Sequence, residues 1–200
     1  ELAIKGGWIM IPIALLSVIA VYIFIERFYA IKKAQEIDKN FMDNIKDSIH
    51  EGDLNSAVKL CRATDKPVAR MIEKGILRIG RPLNDITAAI ENVGKLEVAR
   101  LEKNLTGLAT IAGAAPMIGF LGTVMGMIQA FYDMSNAGSN IDVSLLSNGI
   151  YTAMVTTVAG LIVGIIAYLG YNVLAAKVES VVYLLEANST EFMDLLNESA

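Results

Sequence analysis

At 200 residues, with 54% hydrophobic side chains against 19% charged and a mean hydropathy of +0.49, the chain is more apolar than an ordinary globular domain and reads as largely lipid-facing. A formal net charge of −4 lacks the basic excess that a phosphate backbone requires, so nucleic acid is excluded as a partner. A single cysteine, Cys61, and a single histidine, His50, exclude an intramolecular disulfide, a zinc centre and a Cys-His pair, and no metal or cofactor is expected.

Runs without charge mark three segments. Gly6 to Ile25 holds 20 uncharged residues, about 30 Å as a helix and enough to cross a bilayer. It is long for the apolar region of a signal peptide, and Glu26, Arg27 and Phe28 follow it where small residues would mark a cleavage site, so a retained transmembrane helix is expected. Asn104–Tyr132 and Val143–Ala176 hold 29 and 34 uncharged residues. As helices they measure about 44 and 51 Å, more than the ~30 Å hydrocarbon core needs, so both are expected to tilt or protrude.

Fifteen of the 17 lysines and arginines lie between Arg27 and Lys103, which places that stretch in the cytoplasm. The connection Asp133–Asp142 carries two acids and no base, as expected on the opposite side. The organisation predicted is an all-α integral membrane protein of three transmembrane helices with long cytoplasmic helical extensions. The first helix falls within residues 1–26, with the N-terminus outside. A cytoplasmic helical domain (27–103) follows, then a second transmembrane helix (104–132), an outer loop (133–147), a third transmembrane helix (148–176) and a cytoplasmic helical tail (177–200).

Within the cytoplasmic stretch, Phe28, Ile31, Ile37, Phe41, Ile45 and Ile49 keep a helical stripe up to Gly52, so the first helix is expected to continue beyond the membrane. Asp53 is the expected N-cap of a short helix carrying Leu54, Ala57, Val58 and Cys61, with Pro67 close to its end and Cys61 an inert packed thiol. A further helix from Pro67 stops near Gly80-Arg81-Pro82. Ile86, Ile90, Val93 and Leu96 then start a stripe that meets no breaker before the second span, predicting one helix of about 50 residues, ~75 Å. In the tail, Val178, Val181, Val182, Leu185, Phe192 and Leu195 form another apolar stripe.

Ten of the 16 glycines fall between Gly107 and Gly170. Ala115, Gly119, Gly122 and Gly126 share one face of the second span with Thr123 at its border, and Thr152, Thr156, Gly160 and Gly164 recur every four residues in the third. Small residues let helix backbones approach closely in lipid, so these stripes suit tight packing between the two helices. They equally suit a partly polar face turned to something else. A threonine hydroxyl can also return to its own helix carbonyl and need no partner. Neither long span contains Asp, Glu, Lys, Arg or His, so the chain has no intramembrane proton carrier of its own. No P-loop, G-x-S-x-G elbow or Ser-His pairing is present, and an enzyme is not expected. The pattern suits a membrane scaffold surrounding a partner helix that bears the ionisable group.

The run Ala115-Pro116-Met117-Ile118-Gly119-Phe120-Leu121-Gly122-Thr123-Val124-Met125-Gly126-Met127, followed by Ala130-Phe131, resembles the second-span signature of the MotA/TolQ/ExbB proton-channel family. Gly149-Ile150, Ala153-Met154, Thr156-Thr157-Val158-Ala159-Gly160-Leu161 and Tyr171-Asn172 are similar to that family's last transmembrane helix. The resemblance covers essentially the whole chain and is greatest to the ExbB branch, with TolQ next. It implies a homo-oligomeric ring, commonly a pentamer, in the bacterial inner membrane with a periplasmic N-terminus and a cytoplasmic C-terminus. The ring would surround an ExbD- or TolR-like single-span partner whose aspartate takes up the proton, coupling proton motive force to a TonB-like protein. Thr123 and Thr157 match threonines that face the pore in the family, and Thr156 and Thr152 are expected with them along the proton pathway. Ala115, Pro116, Gly119, Gly122, Gly126, Gly160 and Gly164 are expected in helix packing. This chain has Thr152 where many ExbB and TolQ members carry a glutamate, and Ile166 where a proline is common, so a role for that glutamate does not transfer. The function implied is a stator or proton-channel subunit. The alternatives are a TolQ-like subunit of the envelope system and a non-conducting assembly scaffold.

Overall fold

The computed structural model describes residues 7–38, 40–136 and 143–198, and the side chains of all of these except 143–145 and 198. Among the described residues there are seven α-helices and no strand: α1 (Met10–Gln35), α2 (Phe41–His50), α3 (Leu54–Thr64), α4 (Pro67–Ile76), α5 (Leu83–Glu102), α6 (Leu105–Asn136) and α7 (Val143–Glu198). The stretches Met10–Gln35, Leu83–Asn136 and Leu146–Asn197 are helical, long and apolar enough to cross a membrane. The chain divides into two compact units, one of Glu1–Glu26 with Asn104–Val173 and one of Arg27–Lys103 with Leu174–Ala200.

The first unit contains the start of α1, all of α6 and the first half of α7. Ile13, Ala20, Leu108, Ala115, Ala153 and Ala167 are buried within it, whereas Trp8, Ile11, Leu15, Phe120, Ile162 and Ile166 are exposed. Large apolar side chains facing outward are what lipid solvates and water does not.

In the second unit the core is made by Ile31, Ile45, Val68, Ile72, Ile90, Val181 and Phe192, all fully buried. The Asp53 carboxylate accepts the Ser56 N–H at 3.0 Å and its hydroxyl at 2.6 Å, capping α3. Asp65 (φ 43°) ends α3 in the left-handed region, and Pro67 opens α4, where its missing N–H is not needed. Cys61 is 1% exposed, and burial, with a smaller contribution from Glu73, pushes its thiol up to about 12. The Lys177 ammonium sits 5.2 Å from the centre of the Phe28 ring, and the Gln35 amide donates to the Lys177 carbonyl at 3.2 Å.

Helix boundaries depart from the sequence expectation in three places. The stripe from Phe28 to Ile49 is not one helix, because α1 stops at Gln35 and α2 starts at Phe41. Asp38 accepts the Asn40 N–H on its carboxylate and the Phe41 N–H on its carbonyl, both at 3.0 Å, giving the backbone a turn in place of helical bonds. The helix expected to run from Ile86 into the second span is broken at Lys103–Asn104, where Lys103 is extended (ψ 133°) and Asn104 has φ 68°. Asparagine enters that left-handed region more readily than most residues, and its carbonyl accepts the Leu108 N–H at 3.3 Å as α6 begins. Finally, α6 reaches Asn136 and α7 begins at Val143, so helix occupies both ends of the segment expected as the 133–147 loop. An i,i+4 bond from Gln129 to Asp133 (2.8 Å) supports the end of α6. Residues 137–142, the centre of that loop, and Gly6 lie outside the described residues.

Candidate functional site

The glycine pattern places α6 and α7 against each other. A Cβ added at Gly119 would stand 2.8 Å from the Thr156 carbonyl oxygen, one at Gly122 2.8 Å from the Thr156 Cβ, and one at Gly126 2.8 Å from the Ala153 Cβ. From the other side, a Cβ at Gly160 would meet the Gly119 Cα at 3.0 Å, and one at Gly164 would meet the Pro116 Cδ at 2.7 Å. Residue numbers rise along α6 as they fall along α7, so the two helices run antiparallel with backbones in direct contact. Pro116 lacks an N–H and leaves the Ala112 carbonyl without its usual helical donor, and Gly164 packs against both.

Of the residues singled out in the sequence, the structure brings Ala115, Pro116, Gly119, Gly122 and Gly126 of α6 together with Thr156, Gly160 and Gly164 of α7. Thr152 is not in this seam and is half-buried, its place being taken by Ala153, which is 1% exposed. A strict four-residue repeat drifts about 40° per step around a helix, so the contact line includes one step of three, from Ala153 to Thr156, among steps of four through Gly149, Ala153, Thr156, Gly160 and Gly164. Gly149 packs on Ala130, a pair the four-residue spacing missed and a mixed three-and-four spacing would have found.

Three hydroxyls converge on one carbonyl. The Gly119 oxygen lies 3.0 Å from the Thr157 Oγ1, 3.2 Å from the Thr156 Oγ1 and 3.3 Å from the Thr123 Oγ1. Gly119 permits this because a side chain there would collide with the α7 backbone. A carbonyl offers two lone pairs, so the three hydroxyls cannot all donate to it at full strength. Thr156 is 2% exposed and has a second, shorter bond to the Ala153 carbonyl at 2.7 Å, which satisfies it inside the seam. Thr123 and Thr157 hydrogen-bond each other and stay half-buried. Two orderings are open to that pair: Thr157 donates to Gly119 and Thr123 to Thr157, or Thr123 donates to Gly119 and Thr157 to Thr123. Each ordering leaves one hydroxyl oxygen able to accept a further proton donor, and rotation of either hydroxyl presents a donor. Hydroxyls that accept from a protonated carboxyl or donate to a carboxylate can accompany a proton but not hold it at neutral pH.

Among the described residues, no group of three or more His, Cys, Asp or Glu is placed to hold a metal ion. Among the described residues, the buried carboxylate is in the second unit. Glu97, 3% exposed, binds the Arg70 and Arg100 guanidinia at 2.6 Å each, and Arg27 donates to the Arg100 carbonyl at 3.0 Å. Its place on the inner stripe of α5, with Ile86, Ile90 and Leu101, was the sequence signal that escaped attention.

The sequence model of the MotA/TolQ/ExbB proton channel family matches residues 63–187, more than half of the chain. The chain is similar to a biopolymer transport ExbB homologue of Methanothermobacter thermautotrophicus, 28% identical over 90% of this chain and 63% of that protein. It is also similar to the biopolymer transport ExbB-like protein 1 of Synechocystis, 30% identical over 86% of this chain and 69% of the relative. The biopolymer transport protein ExbB of Neisseria meningitidis is 27% identical over 83% of this chain and 80% of its own length. The chain thus spans less than two thirds of the archaeal relative's length.

Proposed function

Because this chain belongs to the MotA/TolQ/ExbB proton channel family and is most like ExbB, we propose that it is the ring-forming subunit of an energy-transducing complex in a bacterial inner membrane. The ring, a pentamer in this reading, surrounds the single spans of an ExbD-type partner. That partner's intramembrane aspartate carries protons past the Thr123–Thr157 pair, and a TonB-like protein receives the work. The chain itself catalyses no reaction. Its N-terminus and the 133–147 connection lie on the periplasmic side, and residues 27–103 and the tail in the cytoplasm, in keeping with the basic excess of 27–103.

The observation that carries this reading is the division of labour among the threonines. Thr156 is consumed by the seam, whereas the Thr123 and Thr157 hydroxyls remain half-buried at its edge with hydrogen-bonding capacity to spare. A carboxyl passing them finds an acceptor when protonated and a donor when ionised, in spans that hold no charge of their own. Each charge crossing 100 mV releases about 2.3 kcal/mol, so successive transfers can drive stepwise rearrangement of the partner helices. The closeness of α6 and α7 favours a second reading, a scaffold whose threonines only pack.

Potential-driven proton flux into vesicles holding the ring and its partner separates the two. Thr123→Val and Thr157→Val should each lower flux while leaving the ring intact, since each removes a polar contact worth ~1–3 kcal/mol to the buried carboxyl. Thr156→Val should weaken the α6–α7 seam instead. Wild-type flux in both Thr123→Val and Thr157→Val rings would leave the scaffold standing.

A further inference from the structure

The second unit begins at Arg27, and its first stretch ends at Lys103. Near those two ends the Arg27 guanidinium donates to the Arg100 carbonyl at 3.0 Å. In an unbroken α-helix that carbonyl would accept the N–H of residue 104. Here α5 stops at Glu102, Lys103 is extended and Asn104 lies in the left-handed region at φ 68°, so the Arg100 carbonyl is among the orphans of a helix end. Nothing in the local sequence forces the break. Residues 96–110 hold no proline, and their one glycine, Gly107, lies inside α6. The apolar stripe Leu101, Leu105 and Leu108 keeps helical spacing straight across the interruption, with each member buried.

Arg27 supplies a reason for the break. It is 8% exposed, and a buried cation needs compensation. The carbonyl end of α5 provides it, through a hydrogen bond and the negative end of the helix dipole. In a continuous helix the backbone would satisfy the same carbonyl and that negative end would vanish, so Arg27 would lose most of what offsets its burial. Asparagine tolerates the left-handed backbone and keeps the broken form accessible. We propose that the α5–α6 junction is a two-state joint that Arg27 holds broken. When Arg27 lets go, Asn104 returns to the right-handed region, its N–H takes the Arg100 carbonyl, and Leu83–Asn136 becomes one helix of 54 residues. The first apolar helix, through Arg27, thereby governs whether α5 and the second span move as one piece.

Hydrogen exchange read by mass spectrometry on the full chain in lipid nanodiscs tests this. The first helical bond of α6 runs from the Leu108 N–H to the Asn104 carbonyl, so the amides of 104–107 are those that a continuous helix would newly bond. They should exchange fast in the wild type. Arg27→Met keeps an apolar stem without the cation and should slow them about tenfold or more. Asn104→Ala, at an exposed position, should slow them as well by disfavouring the left-handed backbone. Adding Asn104→Gly to Arg27→Met should restore fast exchange, because glycine accepts that backbone freely. A guanidinium that merely packs would give the opposite sign, its loss loosening the neighbourhood and speeding exchange. Unchanged or faster exchange at 104–107 in Arg27→Met, with wild-type helix content by circular dichroism, would overturn the proposal whatever Asn104→Ala shows. Slow exchange persisting in the Arg27→Met, Asn104→Gly double variant would overturn it too. Should Arg27→Met not accumulate, Arg27→Gln, also uncharged, is read by the same two criteria.

Discussion

The α6–α7 seam and the packing of α4 against α5 and α7 both depend on glycine, for different physical reasons. At Gly160 the added Cβ would meet backbone, the Gly119 Cα at 3.0 Å, whereas at Gly75 it would meet the ends of side chains, Phe192 Cε1 at 2.6 Å and Ile90 Cδ1 at 2.8 Å. In lipid, burying apolar side chains against one another yields no hydrophobic gain, so α6 and α7 associate through close backbone approach and hydroxyl–carbonyl bonds. In the second unit, burial of Phe192, Ile72 and Ile90 supplies the stabilisation, and glycine makes room for a ring. Charge follows the same division. The seam has none, while Glu97 is buried because two guanidinia partner it.

The largest expected effect breaks the second of these interfaces. Phe192→Ala removes a fully buried ring from between α4 and α7 and should cost about 3–5 kcal/mol, read as a lower unfolding midpoint by circular dichroism in mild detergent. A loss below about 1 kcal/mol would mean that the ring is not a core element. Gly160→Leu tests the seam, where backbone cannot yield as side chains do, and should cost about 1–3 kcal/mol in the same measurement. Gly113→Ala provides the contrast. Nothing lies within 4 Å of its added Cβ, and alanine is the better helix former, so the midpoint should hold or rise slightly.

The smallest effect sharpens the difference between a buried polar group with partners and one without. Unlike Glu97, the Cys61 thiol is excluded from water with no ion pair, and its value of about 12 exceeds the ordinary 9.0. Above pH 9 the unfolded chain releases this proton while the native protein keeps it, so stability is constant below pH 9 and falls by up to about 1.4 kcal/mol per pH unit above it. Denaturant titrations of Cys61→Ala should therefore show a shallower decline between pH 9 and 11. Identical slopes in the two proteins would place Cys61 in contact with water.

Much of the membrane unit was legible in the chain, because uncharged runs and small-residue spacing are local properties. Gly119, Gly122, Gly126, Gly160 and Gly164 were singled out on spacing alone and meet in one seam. Legibility ended where geometry replaced composition. Thr152 and Ala153 are adjacent, and only the line of contact chose Ala153 for the seam. Thr156 and Thr157 are neighbours of identical chemistry, yet one is used up between helices and the other stays at the edge. The breaks at Asp38 and Asn104 escaped because a stripe of apolar residues continues across a turn as readily as through a helix, and neither break carries glycine or proline.

Sequence alone determined that this is an all-helical membrane chain with three apolar spans, for a charge that cannot be paired is excluded from hydrocarbon wherever the chain folds. Tertiary structure decided what no local pattern contains: that three hydroxyls share the Gly119 carbonyl, and that Glu97 is buried between Arg70 and Arg100. Those outcomes depend on which groups from distant parts of the chain arrive within 3.3 Å of one another, and a hydrogen bond forms only at such short range.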